Sequence, residues 1–406
     1  MKTLFLSGHG VNLRVENARL KIRDGCEYER REPAEYELRP KGDDYDSIVI
    51  YGHSGNISLE ALKWLSKQNV QLNILNWDGQ LLNTVLIPET KKGATRFNQY
   101  KAFDGKGRVD IAKKFIDAKI TSSVAVLDWL TQRYPELKES KKASFDELNR
   151  YKGDLAEVKT ISEILGIEGM VARNYWLILA EIFDKKWKFE GRLIGKTGRP
   201  MGATDPINAL FNYGYSILES QCWRAINANG LDPYIGFVHQ MTAGKYPLVY
   251  DLQEPFRWLV DVAIIDALEK GTFTKKDFIR TDNYVIRLSS AGTKKLLEAV
   301  NVQFTNRVQF RGKSWEWGYV IIQKTGEFVI YLSGANSDFG FNEPSPILSR
   351  DDTPELREMV LAISYYNWRK AGNSKGSLHY LKKNAKSEKP FRVYGKMKDK
   401  LDAYSQ

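Results

Sequence analysis

Over residues 1–88 apolar and polar positions alternate with the period of a strand. Val11, Leu13 and Val15 alternate with polar neighbours, and Leu20 and Ile22 do so beyond a turn at Glu16-Asn17. Ser47–Tyr51 predicts another strand. Ser58 caps a short helix that carries Leu59, Leu62 and Leu65. Leu72–Trp77, Asp78-Gly79 and Leu81–Ile87 predict a hairpin, because Asp-Gly favours a type I′ turn. His9 and His53 fall in glycine-containing loops and are expected to be structural. Pro88–Gly93 is expected to be a linker.

Beyond it the period becomes helical. Asp110–Ile120, Ser122–Leu130 and Phe145–Val158 predict helices, with Lys138–Lys142 as a charged connector. Ile164, Leu165, Met170, Val171 and Tyr175 predict a buried helical region, as do Leu259, Val260, Val262, Ile264 and Leu268. Tyr319–Ile322 and Phe328–Leu332 fit either a hairpin or one helix. Residues 335–352, rich in Ser, Asn, Asp and Pro, are expected to be a linker. Thr353-Pro354 then opens a helix carried by Leu356, Val360, Ile363 and Trp368. Gly372 ends it, Ser374 caps a second helix with Leu378 and Leu381, and a third runs over Lys396–Tyr404. A helix, a short glycine-containing turn and a helix are the helix-turn-helix pattern. The expected fold is therefore multidomain α+β. A small β-rich domain (1–88) precedes a mainly α-helical catalytic domain (89–334), a linker (335–352) and a C-terminal helix-turn-helix (353–406).

Within this frame Leu231–Ala267 draws attention. His239, Asp251 and Glu254 put one imidazole and two carboxylates in a short span, a set that suits Mg²⁺ or Mn²⁺. Asp251 followed by Glu254 and Pro255 also reads as a helix N-terminal signature, so capping is the rival. Glu168 lies in the buried pattern of Ile164–Trp176. A carboxylate there needs a partner: a cation shared with His239 and Glu254, or a salt bridge to Arg173.

The 406 residues are 42% hydrophobic, enough for real cores, and carry a formal net charge of +11. That excess points to a polyanion, nucleic acid before membrane. Cys26 and Cys222 form neither a metal motif nor a disulfide framework and suit a reducing cytoplasm. Met1–Gly10 holds no signal-peptide core, and the best apolar run is interrupted by Asp261 and Asp266, so no membrane span is expected. Gly195-Lys196-Thr197 lacks the glycine spacing of a phosphate-binding loop, which rejects an ATPase, and no nucleophile elbow is present.

The stretches IEGMVARNYW, DPINALFNYGYSILES, GLDPYIGFVHQ and DLQEPFR, in this order, resemble the CRISPR-associated integrase family, whose transposon-borne relatives are the casposases. The resemblance covers residues 1–300. It implies a divalent-ion site at Glu168, His239 and Glu254, with Asp251 as an accompanying acid, and a dimerising N-terminal domain. It implies DNA integration in which a DNA 3′-hydroxyl attacks a target phosphodiester. With water as the attacking group, the same site would act as a nuclease. The expected partners are double-stranded DNA, as element ends and target, and further copies of the chain.

The basic stretch Lys185–Arg199 offers Lys188, Arg192, Lys196 and Arg199 to phosphates, and Arg257 is either a further contact or a helix-surface residue. Between Arg369 and Lys400 eleven Lys or Arg face only Glu388 and Asp399. There Lys375, Ser377, His379 and Tyr380 are candidate base contacts, and Lys382, Lys383 and Lys386 candidate phosphate contacts. Such a tail resembles the added module of casposases. The alternatives are a CRISPR spacer integrase with an extra DNA-binding domain, and a non-catalytic DNA-binding protein.

Overall fold

The computed structural model describes residues 3–26, 33–42, 45–76, 79–85, 93–105, 107–192, 202–242, 245–344, 354–386, 393, 397, 400, 401 and 404. The chain divides into two compact units: residues 1–307 with 315–343, and residues 308–314 with 344–406.

The first unit opens with β1 (Thr3–Glu16), β2 (Arg19–Arg23), β3 (Glu35–Leu38), β4 (Ser47–Ile57), α1 (Leu59–Gln68), β5 (Gln71–Leu75) and β6 (Leu81–Val85). Among the described residues the strands form a six-stranded sheet in the order β3-β2-β1-β4-β5-β6. The β1–β4 and β4–β5 pairs are parallel; the other pairs are antiparallel. Parallel β4 and β5 need a crossover, and α1 supplies it, started by the Ser58 hydroxyl accepting from the Ala61 N–H. Period-two alternation sends Leu6, Leu13, Ile22, Ile48 and Leu72 into one core with Ala61, Trp64 and Leu65 of α1. Leu59 is exposed, so it lies off that face. His9 and His53 lie within β1 and β4 rather than in loops. Trp77, Asp78 and residues 86–92 lie outside the described residues, as does nearly all of the expected linker.

The sheet is tied to the helical part of the same unit. The Tyr51 hydroxyl is 3.1 Å from that of Tyr213, and the Gln71 amide donates to the Ser220 carbonyl. Helices dominate after β6: α2 (Gly93–Asp104), α3 (Arg108–Arg133), α4 (Glu136–Ser140), α5 (Lys142–Glu157), α6 (Ile161–Ile182), α7 (Pro206–Asn229), α8 (Pro247–Gln253) and α9 (Arg257–Glu269). A hairpin of β7 (Phe278–Arg280) and β8 (Ile286–Leu288) precedes α10 (Ser290–Thr305), and the pair β9 (Arg307–Phe310) and β10 (Lys313–Glu316) precedes α11 (Trp317–Leu332).

Several boundaries differ from those expected. Asp110–Ile120 and Ser122–Leu130 are one helix, α3, because no Gly or Pro separates them. The charged stretch Lys138–Lys142 is mostly helical, split between α4 and α5. Of the two readings left open for Tyr319–Leu332, one helix is observed, spanning Trp317–Leu332; Thr325 donates to the Ile321 carbonyl and Lys324 pairs with Glu327 one turn on. Phe339 and Phe341, in the stretch read as a linker, are buried, with Phe341 stacked on Phe115 and both beside Phe328. α7 is bounded as its sequence dictates. Asp205 accepts from the Asn208 N–H at 2.8 Å, Pro206 occupies the first turn, and Gly230 at φ 72° ends it.

The second unit contains α12 (Pro354–Ala362), α13 (Tyr365–Lys370) and α14 (Lys375–Ala385). Leu356, Val360, Ile363, Trp368, Leu378 and Leu381 form its core. The first expected helix is thus two, parted where Ser364 accepts from the Tyr366 N–H and starts α13. Among the described residues no helix is long and apolar enough to cross a membrane.

Candidate functional site

Four separate segments build the site. Glu168 rides on α6, whose start is fixed by a reciprocal capping box of Thr160 and Glu163. Asp251 lies in α8, Glu254 begins the 3₁₀ turn Glu254–Phe256, and Arg257 opens α9. Helix α8 begins four residues before Asp251, and neither α8 nor α9 has a side-chain cap. The capping rival is therefore not what these acids do.

Asp251 is fully buried and organises the loop before it. Its Oδ2 accepts from the N–H groups of Phe237 and Val238, and its Oδ1 accepts from the His239 N–H at 3.0 Å. The same Oδ1 is 2.7 Å from His239 Nδ1. This fixes the ring and leaves Nε2 as the nitrogen able to meet a ligand. The approach requires Gly236, where a Cβ would stand 2.8 Å from Asp251 Oδ2 and 2.7 Å from the Pro247 carbonyl carbon. Burial alone would lower the His239 pKa, but Asp251, with Glu254 and Glu168, raises it above the ordinary imidazole value.

Glu168 and Glu254 meet at a residue the sequence did not signal. The Lys119 ammonium, on α3, touches Glu168 Oε1 and lies 2.7 Å from Glu254 Oε2. Lys119 is the one donor the described residues bring to buried Glu254 Oε2, which has no other hydrogen-bond partner. Arg257 holds Glu254 Oε1 at 2.7 Å. Burial would push the Glu254 carboxyl up, but Arg257, Lys119 and His239 outweigh it and hold it well below the ordinary carboxylate range. The partner expected for Glu168 was Arg173 or a shared cation; the observed one is Lys119.

A frame of tyrosines stands behind the acids. Buried Asp261 accepts from the hydroxyls of Tyr175 at 2.7 Å and Tyr215 at 2.6 Å, which ties α6, α7 and α9 together. The Arg257 guanidinium lies over the Tyr215 ring at 4.2 Å. Burial raises the Asp261 pKa, partly offset by those two hydroxyls. Asp261 did leave a signal, as an acid interrupting an apolar run. Tyr175 and Tyr215 sit inside the quoted stretches, whereas nothing around Lys119 marks it out.

A cavity of about 620 Å³ opens here, with Lys119, Glu168, Trp176, Arg192, Tyr215 and Glu254 in its wall. Arg192 packs against the Trp176 and Tyr215 rings and donates to the Asn212 side-chain oxygen Oδ1 at 2.8 Å. Lys188 is exposed, and Lys196 and Arg199 lie outside the described residues. In the second unit Lys375, His379, Tyr380, Lys383 and Lys386 are exposed on or just after α14. Two neighbours are engaged internally: the Ser377 hydroxyl accepts from Trp368 Nε1 and donates to the Ser374 carbonyl, and Lys382 donates to the Leu361 carbonyl.

Among the described residues no three His, Cys, Asp or Glu side chains already stand at metal-ligand spacing. The donor set nonetheless suits a divalent ion. Two carboxylates are drawn round one positive charge, one buried carboxylate oxygen has that ammonium as its sole donor among the described residues, and the imidazole is fixed through its other nitrogen.

The family model for CRISPR associated protein Cas1 matches residues 4–302. A CRISPR-associated endonuclease Cas1 of Archaeoglobus fulgidus is 31% identical over 348 residues, 83% of this chain and 98% of that protein. A solved casposase bound to integration product is 45% identical, superposes with a TM-score of 0.84, and covers 90% of this chain and 100% of its own. A Cas1 protein from Thermotoga maritima, 19% identical, shares the fold with a TM-score of 0.66 over 82% of this chain and 97% of its own. The chain belongs to the CRISPR-associated protein Cas1 family.

Proposed function

We propose that the chain is a casposase-type DNA integrase. The observation that carries this reading is the meeting of Glu168 and Glu254 at one cation in the wall of the cavity, beside the imidazole that Asp251 orients. The likeness at 45% identity to a casposase bound to integration product supports it. The substrates are double-stranded element ends and target DNA. A 3′-hydroxyl attacks a target phosphodiester: one P–O bond forms, the P–O bond to the target 3′-oxygen breaks, the attacking hydroxyl's proton passes to solvent, and the departing 3′-oxygen takes one up to become a hydroxyl. One phosphodiester replaces another, so no energy-bearing cofactor is consumed. With water in place of the 3′-hydroxyl the step is endonucleolytic.

Glu168, Glu254 and His239 Nε2 would hold Mg²⁺ or Mn²⁺, which supplies polarisation of the phosphoryl oxygen and activation of the attacking hydroxyl. Asp251 positions His239 rather than serving as a ligand, since both its oxygens are engaged. Arg257 neutralises Glu254 and, with Arg192, presents positive charge to the DNA backbone. Before an ion arrives, Lys119 keeps the two carboxylates together.

The second unit, with α13, a short turn at Gly372 and α14, acts as a helix-turn-helix. Its exposed Lys375, His379 and Tyr380 meet bases, and Lys383 and Lys386 meet phosphates. Residues 1–88 mediate dimerisation through the sheet's edge strands β3 and β6, since unpaired edges pair readily. We place the protein in the cytoplasm, in keeping with two free cysteines.

The test is strand transfer by the purified chain on labelled element ends, with and without Mn²⁺ or Mg²⁺. Glu254→Gln is expected to lower product by at least about 10³-fold while DNA binding is largely kept. Full activity in Glu254→Gln would remove the metal reading, and absence of strand transfer by the unmodified chain would remove the integrase reading.

A further inference from the structure

A second concave site lies on the first unit, built from the 3₁₀ turn Lys185–Trp187, the start of α7, and the β7–β8 hairpin. It encloses about 400 Å³. Lys186, Lys188, Lys275 and Arg280 line it, against the single carboxylate of Asp205, which is already spent on capping α7. Lys186 is paired to Asp184; Lys275 and Arg280 are exposed and reach solvent. Three aromatic rings complete the wall. Trp187 is buried and meets Phe278 edge-on at 5.5 Å, forming the floor. Tyr284 stands at the rim, 69% exposed, with the Arg280 guanidinium 4.6 Å from its ring centre.

Two of the chain's left-handed non-glycine residues lie in this site. Lys188 and Tyr284 adopt the left-handed region, at φ 54° and φ 61°, where glycine is the cheaper residue. In return the exposed Tyr284 ring gains only a solvent-facing contact with the Arg280 guanidinium. The hairpin tip nevertheless holds it there: the Tyr284 N–H donates to the Thr281 carbonyl at 2.9 Å, and the Thr281 N–H to the Val285 carbonyl. That closure holds the ring at the rim of the groove.

We propose that this groove binds a single-stranded segment of DNA, with one base stacked on Tyr284 and the adjoining phosphates on Lys275, Arg280 and Lys188. Exposed aromatic faces interleaved with cations are the chemistry of single-strand binding, because unpaired bases offer their faces and duplex bases do not. A space of this volume takes a nucleotide rather than a duplex. The inference rests on the DNA-processing reading above and adds to it a place for a frayed or unpaired strand, apart from the cavity at Glu168 and Glu254.

The experiment uses the full chain, an oligothymidine and a blunt duplex, both fluorescently labelled, titrated across salt concentrations. Tyr284→Gly relieves the left-handed strain, so the fold should be at least as stable while oligothymidine affinity falls about tenfold. Its duplex affinity and salt slope should stay unchanged, and Tyr284→Phe should bind as the unmodified chain does. Lys275→Ala with Arg280→Ala should reduce the oligothymidine salt slope by about 1.4, two phosphate contacts' worth. If Tyr284→Gly bound oligothymidine normally while the unmodified chain still bound duplex, the groove proposal would fall and the DNA reading would stand. If the unmodified chain bound neither DNA, the underlying reading would fall first.

Discussion

Replacing Lys119 by Met separates the charge from the bulk of that side chain and tests the centre of the site. Lys119 is buried, and its ammonium is shared by Glu168 and Glu254. At an effective dielectric of about 20, each ion pair at such range is worth about 4 kcal/mol or more in Coulomb terms. Removal would leave two carboxylates facing each other, with Arg257 beside Glu254 and the His239 imidazole nearby. The cost has a ceiling, since the pair can take up one proton. Carrying an ordinary carboxyl from about 4.3 to pH 7 costs about 3.7 kcal/mol. That agrees with the about 3–5 kcal/mol seen when one member of a buried pair is lost. In EDTA at pH 7, Lys119→Met should therefore lose about 3–4 kcal/mol, a fall of roughly 5–10 °C in melting temperature. The sign with pH is set by the carboxylates: the loss is full where both are ionised and shrinks as pH falls, to about 1 kcal/mol at pH 5. Added Mn²⁺ should raise the melting temperature of the variant more than that of the unmodified chain, because the ion meets two carboxylates without a competing ammonium. Thermal scans in EDTA and in Mn²⁺ at two pH values decide it. Equal melting in EDTA, or an equal Mn²⁺ shift in both proteins, would refute the reasoning.

Three further outcomes are expected. Asp251→Asn replaces an acceptor of three backbone N–H groups and one imidazole by an amide with one acceptor. It should cost about 3 kcal/mol in chemical denaturation and cut strand transfer, with duplex binding kept. Glu219, with its pKa pushed up to about 7 by burial, is a charge held at a cost in neutral solution. Its folded pKa is raised, so stability falls as pH rises from about 4.5 to 7. Glu219→Gln should then be more stable by about 1–2 kcal/mol at pH 8, discounted for partial exposure, and match the unmodified chain near pH 4.5 in parallel melts. Removing residues 352–406 should leave basal strand joining intact while flattening the salt dependence of DNA binding and erasing preference between matched and scrambled sequences. Retention of both would take the DNA-reading role away from the second unit.

The sheet and the long helices were legible because each writes a period into the sequence. Val11, Leu13, Leu20 and Ile22 alternate, and all four are in or near one core. Boundaries were less legible where local and tertiary signals disagree. Tyr319–Ile322 and Phe328–Leu332 fitted a hairpin as well as one helix, and only the burial of Lys324 and Thr325 inside α11, with partners on the same helix, separates the two. Phe339 and Phe341 sit in a stretch whose composition reads as a linker; only packing against Phe115 and Phe328, far away in sequence, reveals their role. At the site, Glu168, His239 and Glu254 were named from the sequence, and the structure gathers the two glutamates at one ammonium. Lys119 was out of reach, since a lysine among the several of α3 differs from its neighbours only by what two other segments bring to it.

The acids around the cavity show why residue type alone cannot separate a ligand from a scaffold. Asp251, Glu254 and Asp261 are all buried within eleven positions of one another, and any of them could be offered as a ligand from sequence. Their hydrogen bonds divide them. Asp251 has each oxygen engaged by backbone N–H groups, one of them also by the imidazole. Asp261 has one tyrosine hydroxyl on each oxygen. A carboxylate so satisfied gains little from a metal, because binding one would break bonds that its burial requires. Glu254 differs: Oε1 faces Arg257, while buried Oε2 meets only the Lys119 ammonium and no backbone or hydroxyl donor. Glu168 meets that same ammonium from another helix. Two carboxylates held by one shared side-chain cation, rather than by backbone or tyrosine donors, are where exchange for a divalent ion costs least. That selects Glu168 and Glu254 as ligands and leaves Asp251 and Asp261 to hold the imidazole and the tyrosines in place.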